Sequence, residues 1–239
     1  MKYIYSSISL LLFITNIACA QKQNSDLIRY GLKGKVKTMQ QTIYAFSRKD
    51  GDDWIVTDTP FYTEKKYNFS NKGILESLEE NHIDTKSKKE NITVTRFHYR
   101  NGKIAGSEWY DSKGNKKGES NVKWINAHKY IDIVDDKDLQ LKIESIHLVD
   151  DDFRNEDTWV KRYSYNGLEA NIRTQYFYKD GLLNKQIVSD SLSGNNYNYE
   201  VAVLKKDTTD NSIETVMSIQ PPNGMPAQLI FTKYSYYTD

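Results

Sequence analysis

Four histidines, His82, His98, His128 and His147, and one cysteine, Cys19, are the side chains of this 239-residue chain best suited to hold a metal or attack a substrate. No two of the histidines lie two or four residues apart, so they form no sequence-local ligand set. They read as solvent-facing or loop residues. A single cysteine allows no intrachain disulfide and no Cys-based metal centre. Three acidic runs offer oxygen ligands: Asp50-Gly51-Asp52-Asp53, Asp135-Asp136-Lys137-Asp138 and Asp150-Asp151-Asp152. A calcium loop of the EF-hand kind needs Gly at its sixth position and Glu at its twelfth, and none of these runs has them. Asp bonds its own backbone locally, so the runs read as turns.

Phrases that carry catalysis are missing. There is no G-x-S-x-G, no G-x-G-x-x-G and no phosphate loop; Lys33-Gly34-Lys35 lacks the upstream glycine and the following Ser or Thr. Glycoside hydrolysis by two carboxylates needs no local motif, and it is kept as the last of three readings. The basic run Lys86-Ser87-Lys88-Lys89 is flanked by Asp84 and Glu90 and reads as a solvated turn, not as a nucleic-acid patch. No cofactor is expected, and no enzyme.

The aromatic side chains remain. The chain has 18 Tyr, 8 Phe and 4 Trp, and several of them follow one repeated phrase. In "RFHYRNGKIAGSEWYD", Phe97 and Tyr99 stand two apart and so share one face of a strand, with Arg96, His98 and Arg100 on the other. Asn101-Gly102 follows, a strong signal for a type I′ hairpin turn. The phrase recurs at Tyr67 and Phe69 before Gly73, at Tyr163 and Tyr165 before Asn166-Gly167, and at Tyr176 and Tyr178 before Asp180-Gly181. A sheet needs one buried face, so these pairs are assigned to the core. The aromatics that break the alternation are the binding candidates: Trp54, Trp109 beside Tyr110, Phe177 between Tyr176 and Tyr178, and Tyr236 beside Tyr237.

Alternation continues through 130–143, 197–203 and 227–237, and no segment holds a 3.6-residue period over three turns. Ser25 is placed to cap a short helical turn over 26–30, and Pro221-Pro222-Asn223-Gly224 reads as a loop. The pattern predicts an all-β protein of about eleven to thirteen strands. It would be an antiparallel meander of repeated hairpins, forming a strongly curled sheet or two stacked sheets. One domain over 21–239 is expected, with two halves, 31–125 and 126–239, meeting where the aromatic phrase lapses near 121–128.

The repeated phrase resembles the tyrosine-rich YD or RHS-type repeats, and in particular short YD-like repeats of exported proteins from Bacteroidetes-type bacteria. Tyr30 to Phe46 looks like the leading strand of that group. The resemblance covers 31–118 and 158–188, and the Tyr-Asp pair itself survives only at Tyr110-Asp111. It implies architecture and names no activity.

The first twenty residues, MKYIYSSISLLLFITNIACA, have a positive start, a short apolar run and small residues at their end, the pattern of an export signal. Cleavage after Ala20 would leave a soluble chain; cleavage before Cys19 would leave a lipidation site, although Asn16 stands where a lipobox prefers an aliphatic residue. The protein is therefore expected in the periplasm or outside the cell, or on the outer membrane if Cys19 is lipidated. Without the leader, 32 basic and 32 acidic residues remain, so no net field favours nucleic acid or an anionic membrane. The first reading of function is a non-catalytic envelope module that binds a protein or a glycan. The alternative is a structural envelope protein that pairs through a free sheet edge.

Overall fold

The computed structural model describes residues 26–51, 53–57, 61–87, 89–136, 141–164, 166–220 and 227–238. The leader, Cys19, Tyr165 and the Pro221–Gly224 loop lie outside them. Among the described residues, a four-residue helix, α1 (Asp26–Arg29), precedes fifteen strands. These are β1 (Val36–Asp50), β2 (Asp53–Val56), β3 (Phe61–Phe69), β4 (Leu75–Asp84), β5 (Lys89–Arg100), β6 (Lys103–Asp111), β7 (Lys116–Trp124) and β8 (Lys129–Asp136). There follow β9 (Leu141–Val149), β10 (Asn155–Ser164), β11 (Gly167–Lys179), β12 (Leu182–Asp190), β13 (Asn196–Lys206), β14 (Ser212–Gln220) and β15 (Ala227–Tyr236).

Every strand pairing is antiparallel, and each strand from β3 to β15 pairs with its neighbour in sequence. The curl goes to completion. β15 pairs with β1 from Val36↔Tyr236 to Ser47↔Ala227, closing fourteen strands into a barrel. β2 lies outside this ring and pairs with the end of β1. The meander of hairpins is as the alternation predicts, and of its two outcomes, a strongly curled sheet or two stacked sheets, the first is formed and closes on itself. Closure removes the two edges that an open sheet of this size would expose, so the free edge that would serve strand pairing shrinks to the four residues of β2.

Two turn designs recur among the connections between strands. Asn101-Gly102 (φ 52° and 72°) and Asp180-Gly181 (φ 53° and 78°) hold both central residues left-handed, as a type I′ turn requires. Residues 70–74, 111–115, 150–154 and 207–211 form a five-residue turn in which the first N–H bonds the fifth carbonyl. The fourth residue is left-handed in each: Gly73, Gly114, Phe153 and Asp210. In three of them the opening Asp side chain accepts two backbone N–H groups; Asp150, for example, takes those of Asp152 and Arg154 at 2.9 Å each. The 150–152 acidic run is thus turn chemistry. Asp135 and Asp136 instead prolong β8.

Hairpin topology puts the turns at 70–74, 101–102, 125–128, 150–154, 180–181 and 207–211 at one end of the barrel. The segment 26–35 lies across that end. Leu27 donates its N–H to Gly73 O (3.3 Å), and the Asp26 carboxylate accepts the Leu75 N–H (2.8 Å). Asn211 grips the Lys33 main chain from both sides, accepting its N–H (2.7 Å) and donating to its carbonyl (2.9 Å). Tyr237 N–H then bonds Lys35 O. The main core forms beneath this plug: Val36, Met39, Tyr67, Phe69 and Leu75 are buried, with Leu27, Tyr30 and Leu32 packed on them. Tyr30 meets Tyr67 and Phe69 edge to face, at 5.5 and 6.1 Å between ring centres.

Candidate functional site

The plug identifies the inner face of the wall, because it touches Tyr67 and Phe69 on β3, Tyr99 on β5 and Tyr130 on β8. Residues directly opposed in an antiparallel ladder share a face, so the register carries the assignment around the ring. Thirteen of the fourteen wall strands then show an outward charge: Glu64, Glu79, Arg96, Glu108, Lys123, Asp135, Glu144, Lys161, Arg173, Lys185, Glu200, Glu214 and Lys233. Several are paired along the outer surface. Lys116 reaches Glu108 and Glu119, Arg173 holds Asp157 at 2.6 Å, and Lys205 holds Glu214 at 2.7 Å. A basic residue on the lipid face at mid-membrane costs about 2–4 kcal/mol.

The inside is graded. Its first row above the plug runs Tyr234, Met39, Tyr67, Leu78 and Thr95 across five adjacent strands. The second row, two residues higher, runs Thr232, Gln41, Lys65, Glu80 and Thr93. Lys65 and Glu80 pair at 2.6 Å within that row. The inner face of β13 and β14 opposes them with Val201 and Val203 beside Met217 and Thr215. Between the plug and these strands lies a cavity of about 240 Å³, lined chiefly by Tyr30, Leu32, Leu182, Leu183, Val201, Val203, Met217, Ile230 and Tyr234. Gln41, Thr215 and Thr232 give it a polar margin. A fourteen-strand barrel is wider than the eight-strand barrels that side chains fill, so an interior space is the expected geometry.

A second, small cavity of about 30 Å³ lies under α1, between Arg29, Tyr99, Trp124, Tyr130 and Phe153. Arg29 hydrogen-bonds Tyr130, and His147 stacks on the Tyr130 ring at 4.4 Å. Burial, reinforced by Arg29, pushes the His147 imidazole down to about 4, so it is neutral here at physiological pH. Burial raises the Asp26 carboxyl, against the Leu75 N–H, the Tyr99 hydroxyl and Arg29, which favour its charge. Asp132 also faces inward and is raised by burial; its Oδ1 has no hydrogen-bond partner.

The aromatics singled out in the sequence are dispersed. Trp109 turns inward and lies on the backbone of Gly118, while Tyr110 turns outward, donates to Glu108 (2.7 Å) and lies under Arg96. Phe177 is 43% exposed on the outer wall with the Lys185 ammonium 5.7 Å from its ring. Trp54 on β2 covers Val216 and Leu229 from outside. Tyr236 donates to Asp207 (2.5 Å) and accepts from Asn211 at the plugged end; Tyr237 donates to Phe69 O (2.6 Å). They do not converge on one site. Sequence reasoning did not find the lumen. Its plug residues Leu27, Tyr30 and Leu32 are spaced like neither a strand nor a long helix, and the apolar lining of β12 to β14 looks like ordinary sheet core. An outward cluster, Tyr44 with Tyr62 (5.6 Å) and Phe231 (6.0 Å), likewise follows from pairing across β15, β1 and β3. Among the described residues, no group of three His, Cys, Asp or Glu is placed to hold a metal ion. No helix there is long and apolar enough to cross a membrane.

No protein-family model matches the chain, and no curated protein matches it. Among solved structures, a porin-like protein from Bacteroides vulgatus ATCC 8482 aligns at TM-score 0.48 and 12% identity, over 85% of this chain and 99% of that one. A porin-like protein from Bacteroides uniformis ATCC 8492 aligns at 0.42 and 10% identity, over 85% and 98%. A LolA-superfamily protein from Nitrosomonas europaea aligns at 0.29 and 9% identity, over 91% of each. All three scores fall below 0.5, and the barrel rests on the strand pairing itself.

Proposed function

We propose that this is a non-catalytic binding module of the cell envelope, a water-soluble cup that takes a small ligand into its lumen. The observation that carries this reading is the lumen cavity of about 240 Å³ with Val201, Met217 and Ile230 on its wall, inside a barrel whose outer face carries charge on thirteen strands. Concave, mostly apolar sites with a few polar groups are where small molecules bind, in volumes of about 300–1,000 Å³, and this cavity lies just under that range. The leader-like first twenty residues support export. A glycan or envelope-protein partner for the outer surface finds less support at Tyr110, Trp159 and Phe177, each of which carries a cation over its ring.

The test is titration of the chain from Gln21 onward with the apolar dye N-phenyl-1-naphthylamine. Saturable fluorescence enhancement with one site per chain is expected, and Val201→Trp, which fills the cavity, should abolish it while the circular dichroism spectrum stays that of the wild type. A wild-type chain that binds no dye, or a Val201→Trp chain that binds it equally well, would sink the reading.

A further inference from the structure

We propose that the lumen ligand is a single-chain amphiphile whose polar head carries no net charge. This rests on the lumen-binding reading and adds the chemistry of the ligand. Two inner surfaces meet at the cavity. On one side Val201, Met217 and Ile230 offer apolar surface and no polar side-chain atom. On the other, Gln41 and Thr232 line the cavity and open the polar row, with Lys65 directly opposite Gln41 and Glu80 directly opposite Lys65. A wholly apolar ligand would strip water from Gln41 and Thr232 without replacing the lost hydrogen bonds, which costs about 1–3 kcal/mol for each group left unsatisfied. A wholly polar ligand would leave the apolar wall wet. A molecule with one apolar chain and one polar head satisfies both, and a cavity of about 240 Å³ has room for one chain, not two.

The charge of the head follows from the ion pair. Lys65 and Glu80 are already joined at 2.6 Å on the inner wall, and each side chain keeps roughly a quarter of its surface exposed. The pair presents free donors and free acceptors with no net field. A lone carboxylate head would bring a second negative charge beside Glu80, and a lone ammonium a second positive charge beside Lys65. Either would be taken out of water against a pair already neutral overall, with no countercharge left to offset the loss of hydration. Hydroxyl-rich and zwitterionic heads use the donors and acceptors together and leave the pair intact.

The experiment is displacement of N-phenyl-1-naphthylamine by four twelve-carbon amphiphiles, each below its critical micelle concentration: dodecyl maltoside, dodecylphosphocholine, laurate and dodecylamine. The first two should displace the dye at concentrations at least 10-fold lower than the last two. In the Lys65→Met/Glu80→Gln double variant that preference should shrink below 3-fold, with dye affinity unchanged. Should the double variant fail to fold, Gln41→Leu serves in its place and should weaken dodecyl maltoside about 10-fold without weakening the dye. Equal displacement by all four amphiphiles, or a preference that survives the double variant, overturns the head assignment and leaves the lumen reading standing. Loss of dye binding in the wild type itself fails the lumen reading instead.

Discussion

The Tyr99 hydroxyl donates to the Asp26 carboxylate at 2.9 Å, across 73 residues of sequence. It ties the aromatic phrase of β5 to the segment that closes the barrel. The same carboxylate oxygen accepts the Leu75 N–H, so one buried acid joins the plug to both β4 and β5. Tyr99→Phe keeps the ring and removes the tie. A hydrogen bond to a charged group contributes about 1.5–3 kcal/mol, so urea denaturation should show a loss near the low end of that range. Amide exchange at Leu27 and Lys33 should accelerate more than exchange in β8 or β9. Equal acceleration everywhere would mean that the tie supports the whole barrel and not the plug.

Trp109 and Gly118 test the wall itself. A Cβ built on Gly118 would stand 2.1 Å from the Trp109 ring, far inside contact distance. Gly118→Ala therefore forces the ring aside, and overpacking of this kind costs about 1–3 kcal/mol. The same change in a Trp109→Leu background should cost well under half as much, since the clash has gone. A double-mutant cycle with no coupling between the two positions would contradict the packing described.

How much of this was legible in the sequence follows from the range of each interaction. Strand, turn and buried face are local: Phe97, Tyr99 and Asn101-Gly102 announce them within six residues, and the left-handed pair at 101–102 is what that dipeptide favours. Closure is not local. It depends on 36–47 finding 227–236, and both segments carry the same alternation as every other strand. Alternation counts about eleven to thirteen strands, and the described residues form fifteen. The lumen was hidden for the reason closure was. Met217 and Val201 read as sheet core, and only the ring turns their face into a cavity wall. The off-pattern aromatics were legible as exceptions, and for Trp109 the exception is answered by a glycine on the neighbouring strand, not by a ligand.

Acid should loosen the plugged end through His147. Its ordinary value is near 6.5 and in the fold it lies at about 4, so the folded protein binds fewer protons than the unfolded chain between those limits. The stability contributed by keeping this ring neutral is fully present above pH 6.5 and is lost as the pH falls from there through 4. Two and a half units correspond to at most about 3 kcal/mol, less for a ring that water partly reaches. Asp26 and Asp132 are raised by burial and act in the opposite sense, their protonation favouring the fold as the pH drops towards the ordinary carboxylate range. The groups around the ring are Tyr130, Thr158, Asn155 and Arg29. The informative quantity is thus the difference between wild type and His147→Gln. Wild type should lose more stability than the variant between pH 7.5 and pH 5, and parallel curves would remove His147 from the account.

The outer wall makes the last prediction. A fourteen-strand barrel has the size of a membrane pore, yet Arg96, Lys161, Arg173, Lys185 and Lys233 all point outward, on five different strands. At about 2–4 kcal/mol for each basic residue near the bilayer midplane, even three of them at that depth would offset the net stability of a typical domain. The chain beginning at Gln21 should therefore remain in the supernatant after ultracentrifugation without detergent and should leave the conductance of planar bilayers unchanged. Acidic partners such as Glu144 and Glu200 also point outward, so raising the salt concentration should not precipitate it at neutral pH. A chain that needs detergent to stay dispersed, or that opens steady conductance steps, would place the outer wall in lipid and overturn the assignment of inside and outside.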